Sequence, residues 1–294
     1  MPRHLPLIGA TLLLVASAAA LAPARAMDAA TKPVLAKRTT LQVTPQGKIT
    51  QLAIDPRNTG MLYAGTDAAG VYRSTNGGAT WALAAQGLPA QGAIAALVVD
   101  PANSGTIYAA TRVGVYKSVN GGGSWSSEGP PTAAPSTSLA LDPFAQNTIY
   151  AGTGGDGIYR STNGGTTWSA IGPRLASVHV LATDPISPTI LYAGTDDVLL
   201  IGDAGGSWQR AGLGNVAIRT LAIGRPTAGG PALLYAGTST GVLRSTDGGS
   251  SWARIGLASL SIDVLHADAA DPRIVYAGGF DGTELYRSGD TGDG

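Results

Sequence analysis

The stretches Leu52-Ala53-Ile54-Asp55-Pro56, Leu62-Tyr63-Ala64-Gly65-Thr66 and Gly70-Val71-Tyr72-Arg73-Ser74-Thr75-Asn76-Gly77-Gly78-Ala79-Thr80-Trp81 decide how this chain folds, because the remainder repeats them. Tyr63 returns as Tyr108, Tyr150, Tyr192, Tyr235 and Tyr276, at intervals of 45, 42, 42, 43 and 41 residues. Trp81 returns as Trp125, Trp168, Trp208 and Trp252, at intervals of 44, 43, 40 and 44. Within the unit, four short runs carry β-branched or aromatic residues: Ile49 to Ile54, Met61 to Ala64, Val71 to Ser74 and Trp81 to Ala85. Asp-Pro, Gly-rich and Asn-Gly-Gly turns separate these runs, and no sustained helical period interrupts them. Four strands per unit of about 42 residues, repeated radially, is the arithmetic of a β-propeller. A single blade cannot bury both faces of its sheet, whereas neighbours stacked around an axis do. The expected fold is therefore all-β: a six-bladed propeller of four-stranded antiparallel blades over residues 39–294.

Composition agrees. Among 294 residues there are 42 Gly, 18 Pro and no Cys. The abundant Gly has no collagen period and fits many tight turns between short strands. Without Cys, disulfide scaffolds, thiol catalysis and Cys-ligated zinc are excluded. Lys and Arg number 19 against 19 Asp and Glu, so the basic excess that nucleic-acid binding needs is missing.

The N-terminus reads as an address. Arg3 and His4 precede a stretch without charge from Leu5 to Ala24, centred on Leu12-Leu13-Leu14-Val15, and Ala24-Arg25-Ala26 supplies a small-x-small cleavage site. Residues 1–26 are read as a signal peptide and 27–38 as a linker. An uncleaved anchor is the alternative, since about 20 uncharged residues could span a bilayer. Cleavage removes Arg3 and Arg25 and leaves 17 basic against 19 acidic residues, a charge of −2. The expectation is a periplasmic or secreted monomer with no further membrane span.

The hairpin Ser74-Thr75-Asn76-Gly77-Gly78-Ala79-Thr80-Trp81 resembles the Asp-box, or BNR repeat, whose pattern is S-x-D-x-G-x-x-W. It recurs with Ser118, Asn120, Gly122 and Trp125, with Ser161, Asn163, Gly165 and Trp168, and with Ser245, Asp247, Gly249 and Trp252. In the fourth unit Ile201 replaces the Ser, while Asp203, Gly205 and Trp208 remain. Asp or Asn accepts backbone N–H groups in such a turn, Gly supplies a positive φ, and Trp packs its apolar face on neighbouring sheet. The resemblance extends to sortilin-like propellers, photosystem II stability and assembly factors, and xyloglucan-degrading enzymes. It implies that these residues are structural and lie at the rim, away from an axial binding face.

The two ends carry the irregularity. The sixth unit runs through Tyr276-Ala277-Gly278 and Leu285-Tyr286-Arg287-Ser288, and its Trp would fall just beyond Gly294. Thr39 stands 13 residues before Leu52, within the spacing that separates each Trp from the next motif Leu. Thr39 to Val43 is therefore expected to close the sixth blade as its fourth strand and leave no open edge. A truncated seven-bladed propeller is the alternative.

Residues outside the repeat pattern are the better functional candidates. Loops between second and third strands carry Asp67, Arg112, Asp156, Asp196, Asp197 and Asp281. Two residues before the motif Leu, on the strand expected nearest the axis, the units read Thr50, Ala95, Thr137, His179, Arg219 and Asp263. His179, Arg219 and Asp263 place ionisable groups on consecutive blades; they read either as a ligand site or as solvated channel lining. The recurrent Tyr, the basic residues Arg73, Lys117, Arg160, Arg244 and Arg287, and the Asp-Pro carboxylates read as blade structure.

The same resemblance includes sialidases, whose Arg-Ile-Pro motif is absent here. Other glycosidases need two carboxylates flanking the bond, yet Glu occurs only at Glu128 and Glu284. Asp pairs such as Asp196 with Asp281 remain conceivable. No catalytic residue, cofactor or metal is assigned. Two functions stay open: a non-enzymatic binding or assembly-factor-like propeller presenting its axial face to a protein or glycan, and a glycoside hydrolase of the Asp-box type.

Overall fold

The computed structural model describes residues 14–15, 47–90, 92–174, 177–203, 206–225, 230–279 and 285–289. They form a six-bladed β-propeller, and no helix occurs among them. Each of the first five blades holds four antiparallel strands in sequence order. The sixth contributes Ile262–Ala267, Val275–Gly279 and Leu285–Ser288. The expected closing strand, Thr39 to Val43, lies outside the described residues, as does the linker. Within the expected signal peptide, Leu14–Val15 pairs parallel with Ile49–Asp55 of the first blade and also meets the inner strand of the sixth.

The first strand of each unit is the innermost. Ile49–Asp55, Ile94–Val99, Ser136–Leu141, Val178–Thr183, Thr220–Gly224 and Ile262–Ala267 pack side by side in that order around the axis. Blades approach so closely that the second strand needs Gly. A Cβ at Gly65 would stand 2.6 Å from Ile94 of the next blade, and one at Gly237 would stand 2.9 Å from the Ile262 carbonyl oxygen. The second blade carries Ala110 instead of Gly, and there the next inner strand begins with Ser136 rather than Ile or Val. Gly237→Ala should accordingly cost about 1–3 kcal/mol through overpacking, read as a lower urea midpoint at unchanged slope. An unchanged midpoint would show that blades five and six stand further apart.

Tyr63, Tyr108, Tyr150, Tyr192 and Tyr235 on the second strands are fully buried. Two of these hydroxyls are tied down within their own blade: Tyr150 donates to Asp142 at 3.2 Å and Tyr192 to Asp184 at 3.1 Å. Those carboxylates also accept N–H groups of the turn after Pro, for example from Phe144 and Ile186. In these two blades the Asp-Pro step thus shapes the inner turn and anchors the Tyr at once.

The recurrent outer hairpins share one hydrogen-bond scheme. Buried Ser74 accepts the Gly78 N–H at 2.9 Å and donates to Asn76, which accepts the Thr80 N–H at 2.9 Å. Ser118, Ser161 and Ser245 repeat it, donating to Asn120, Asn163 and Asp247. They accept the N–H of Gly122 at 2.9 Å, of Gly165 at 2.9 Å and of Gly249 at 2.8 Å. The glycine the pattern requires is left-handed in all four hairpins, with φ of 88° at Gly78, 83° at Gly122, 98° at Gly165 and 97° at Gly249. The preceding Gly77, Gly121, Gly164 and Gly248 are left-handed as well, at 69°, 67°, 71° and 71°, although the pattern leaves that position free. In the fourth blade Asp203 still accepts the Ser207 N–H at 2.9 Å, while Gly205 lies outside the described residues.

These hairpins also join blades. Trp125, Trp168 and Trp208 donate their indole N–H to Ala84, Glu128 and Ile171, each on the preceding blade. Trp81 and Trp252 depart from that scheme, donating instead to Gly78 and Gly249 of their own hairpins, each at 3.0 Å. Arg73 and Lys117 reach forward to the carbonyls of Gly121 and Gly164 on the next blade. In these two units the basic residue before the Ser therefore acts as a latch on the neighbouring turn.

Candidate functional site

The inner strands enclose an axial channel of about 350 Å³. Its wall is set by the residue after each motif Leu: Ala53, Val98, Ala140, Ala182 and Ala222 on blades one to five, and His266 on the sixth. Five small or apolar side chains and one imidazole make that ring. Burial pushes the His266 pKa below its ordinary value, only partly opposed by the charge of Asp268.

At the N-terminal ends of the inner strands the mouth is shaped by a recurrent irregularity. Register slips between Ile49 and Gln51, Ile94 and Ala96, Ser136 and Ser138, Val178 and Val180, and Ile262 and Val264. The residues left over are Thr50, Ala95, Thr137, His179 and Asp263. Such bulges re-aim a side chain without breaking the sheet. In the fifth blade Arg219 directly precedes the strand and donates its N–H to Gly237.

The bulge residues divide the mouth into two halves. In blades one and three, Thr50 and Thr137 turn their hydroxyls onto the Ile94 and Val178 carbonyls at 2.7 and 2.6 Å. In blades four to six the same position is ionisable. His179 Nε2 lies 2.5 Å from Asp196, and Arg219 lies 3.4 Å from Asp263 across the blade boundary. His179 and Arg219 are 38% and 45% exposed, and the solvent-screened Arg219–Asp263 pair is worth about 0–1 kcal/mol. An incoming ligand can exchange for one member of either pair at small cost.

The loop candidates sit on the same face but do not converge. Asp67 accepts the Lys48 N–H at 2.7 Å, closing its own blade's loop. Asp156 accepts the Thr132 hydroxyl and lies 3.7 Å from Arg174. Asp197 accepts the Thr195 hydroxyl at 3.1 Å, and Arg112 is exposed. Asp281 lies outside the described residues, so the Asp196 and Asp281 pairing has no geometry here. Of the candidates, the structure brings together His179 with Asp196, and Arg219 with Asp263. Among the described residues no three His, Asp or Glu side chains gather as metal ligands.

Two channel residues escaped the sequence reading. His266 interrupts the Ala or Val that follows the motif Leu, a break visible in the aligned units. Arg225 directly follows the fifth inner strand, where the first four units carry the Asp of an Asp-Pro turn, and it lines the opposite mouth.

No family model matches this chain, and no curated protein matches it. Solved structures do. The GH74 enzyme of Niastella koreensis superposes with a TM-score of 0.67 at 20% identity, covering 83% of this chain and 45% of that one. The GH74 xyloglucanase of Xanthomonas campestris gives 0.67 at 22% identity, over 84% and 44%. YCF48 bound to D1 peptide gives 0.63 at 15% identity, over 84% and 80%. This chain thus spans less than half the length of these GH74 enzymes but most of YCF48. The likeness is one of fold.

Proposed function

We propose that this chain is an exported, non-enzymatic binding propeller of the assembly-factor kind. Its outer hairpins are read as Asp-boxes that hold the rim, and its axial face receives a protein or glycan through His179, Arg219 and Asp263. The observation that carries this reading is the divergence at one repeat position, two residues before the motif Leu: hydroxyl or methyl groups on blades one to three, weakly paired ionisable groups on blades four to six. Repeat architecture alone would keep that position alike on every blade. The neighbour of matching length, YCF48, is a structure with a bound peptide, which supports the binding reading.

The GH74 likeness favours hydrolysis as a second reading. Against it, Asp196 is 55% exposed and Asp263 is paired with Arg219. A general acid is ordinarily created by apolar burial of a carboxyl group.

The test uses full-length protein and the His179→Ala/Arg219→Ala/Asp263→Ala variant as baits against periplasmic extract and a glycan array. A partner should be retained by the unsubstituted protein and weakened about tenfold or more by the variant, at a nearly unchanged melting temperature. Equal retention by both baits would overturn the axial-face reading. Release of reducing ends from xyloglucan, abolished by Asp196→Asn, would establish the hydrolase instead.

A further inference from the structure

The channel has a second mouth, at the C-terminal ends of the inner strands, and its chemistry differs from the first. Pro101, Pro143 and Pro185 frame it together with Arg225. Beside these prolines Phe144 and Ile186 are 51% and 41% exposed, at a repeat position where the first blade carries Arg57. Arg225 is exposed, and among the described residues no carboxylate pairs with it. The first mouth is the reverse case, since Asp196 lies against His179 and Asp263 against Arg219.

Between the mouths the wall offers little to a polar guest. Three of the hydroxyls that line it are engaged by inter-blade carbonyls: Thr137 and Ser138 donate to Val178 at 2.6 and 3.0 Å, and Thr183 donates to Leu141 at 3.0 Å. The rest of the lining is mostly Ala, Val, Leu and Ile, with Gln51, Thr220 and the imidazoles of His179 and His266 as its other polar side chains besides Arg225. A volume of about 350 Å³ falls within the usual range for small-molecule sites, roughly 300–1,000 Å³, which are mostly apolar with a few placed polar groups.

We propose that this channel binds an amphiphilic carboxylate of the fatty-acid class, its acyl chain lying along the Ala and Val ring and its head group on the Arg225 guanidinium. Charge complementarity sets the orientation, because a carboxylate entering from the other mouth would meet Asp196 and Asp263. The head group sits at the mouth opposite His179, Arg219 and Asp263, and the proposal does not depend on the reading given above.

Titration of full-length protein with saturated fatty acids from octanoate to hexadecanoate, below their micellar concentrations, tests the proposal against the matching alcohols. One saturable site is expected, tightening about fourfold per added methylene until the chain fills the channel and then levelling. Arg225→Gln, at an exposed position that leaves the fold intact, should weaken the carboxylates about tenfold and leave the alcohols unchanged. Ala182→Leu, checked by its melting curve, should narrow the wall and weaken both series. Absence of saturable binding would overturn the proposal. So would affinity that climbs with chain length without levelling, or binding to which Arg225→Gln makes no difference.

Discussion

Trp125→Ala should lower the free energy of unfolding by about 3–5 kcal/mol, the usual loss for a buried large aromatic. Trp125 is 6% exposed, the only Trp among the described residues that counts as core, and it packs with Ile94, Leu97 and Val99. Its indole N–H donates to the Ala84 carbonyl of the first blade at 2.8 Å, and its own backbone N–H donates to Gln86 at 2.8 Å. Truncation therefore opens a cavity and strands a carbonyl at the seam between blades one and two. Chemical denaturation of the two proteins measures the difference. An unchanged midpoint would mean that the ring does not pack between blades, and the structural reading of the hairpin Trp would need revision. Trp81→Ala should cost less, because Trp81 is half-buried and donates to Gly78 within its own hairpin at 3.0 Å.

Raising the pH from 10 to 12 should unfold the protein cooperatively. Burial pushes the hydroxyl pKa of Tyr108 up to about 12, with the charges of Asp100 and Glu128 adding to it. Burial does the same to Tyr150, to about 12, helped by the charge of Asp142. Tyr192 and Tyr63 are raised for the same leading reason. A raised folded pKa means that the stabilisation is complete below the unfolded value near 10 and disappears as pH rises toward the folded one. Tyr108 and Tyr150 each contribute roughly 3 kcal/mol in this way, on the order of 5 kcal/mol together. That is a large share of a typical domain's stability. Tyrosinate absorbance of the buried residues should appear only together with loss of near-ultraviolet circular dichroism. Tyr150→Phe should cost about 1 kcal/mol at neutral pH yet move the alkaline midpoint upward. A single smooth titration of all tyrosines with the fold intact would contradict the buried environment.

Sequence alone determined the number of blades, the strand order and the turn chemistry, because each is written locally and repeated. The runs from Val71 to Ser74 and from Ile49 to Ile54 are strands almost to the residue, and Gly78, Gly122, Gly165 and Gly249 are left-handed where the hairpin requires it. The position holding His179, Arg219 and Asp263 was also legible, as a column where repeats stop agreeing. Tertiary structure decided what those residues meet. That Arg219 faces Asp263 across a blade boundary, that Thr137 turns onto Val178, and that Arg73 latches the Gly121 carbonyl all join residues more than 40 positions apart. The repeat specifies a blade's own backbone, but the angle between blades follows from packing at their seams. Close approach at Gly65 and Gly237, together with inner-strand bulges, sets that angle and turns a sequence column into a ring around a channel. His266 and Arg225 each break the repeat in the sequence, but only this packing makes them channel residues.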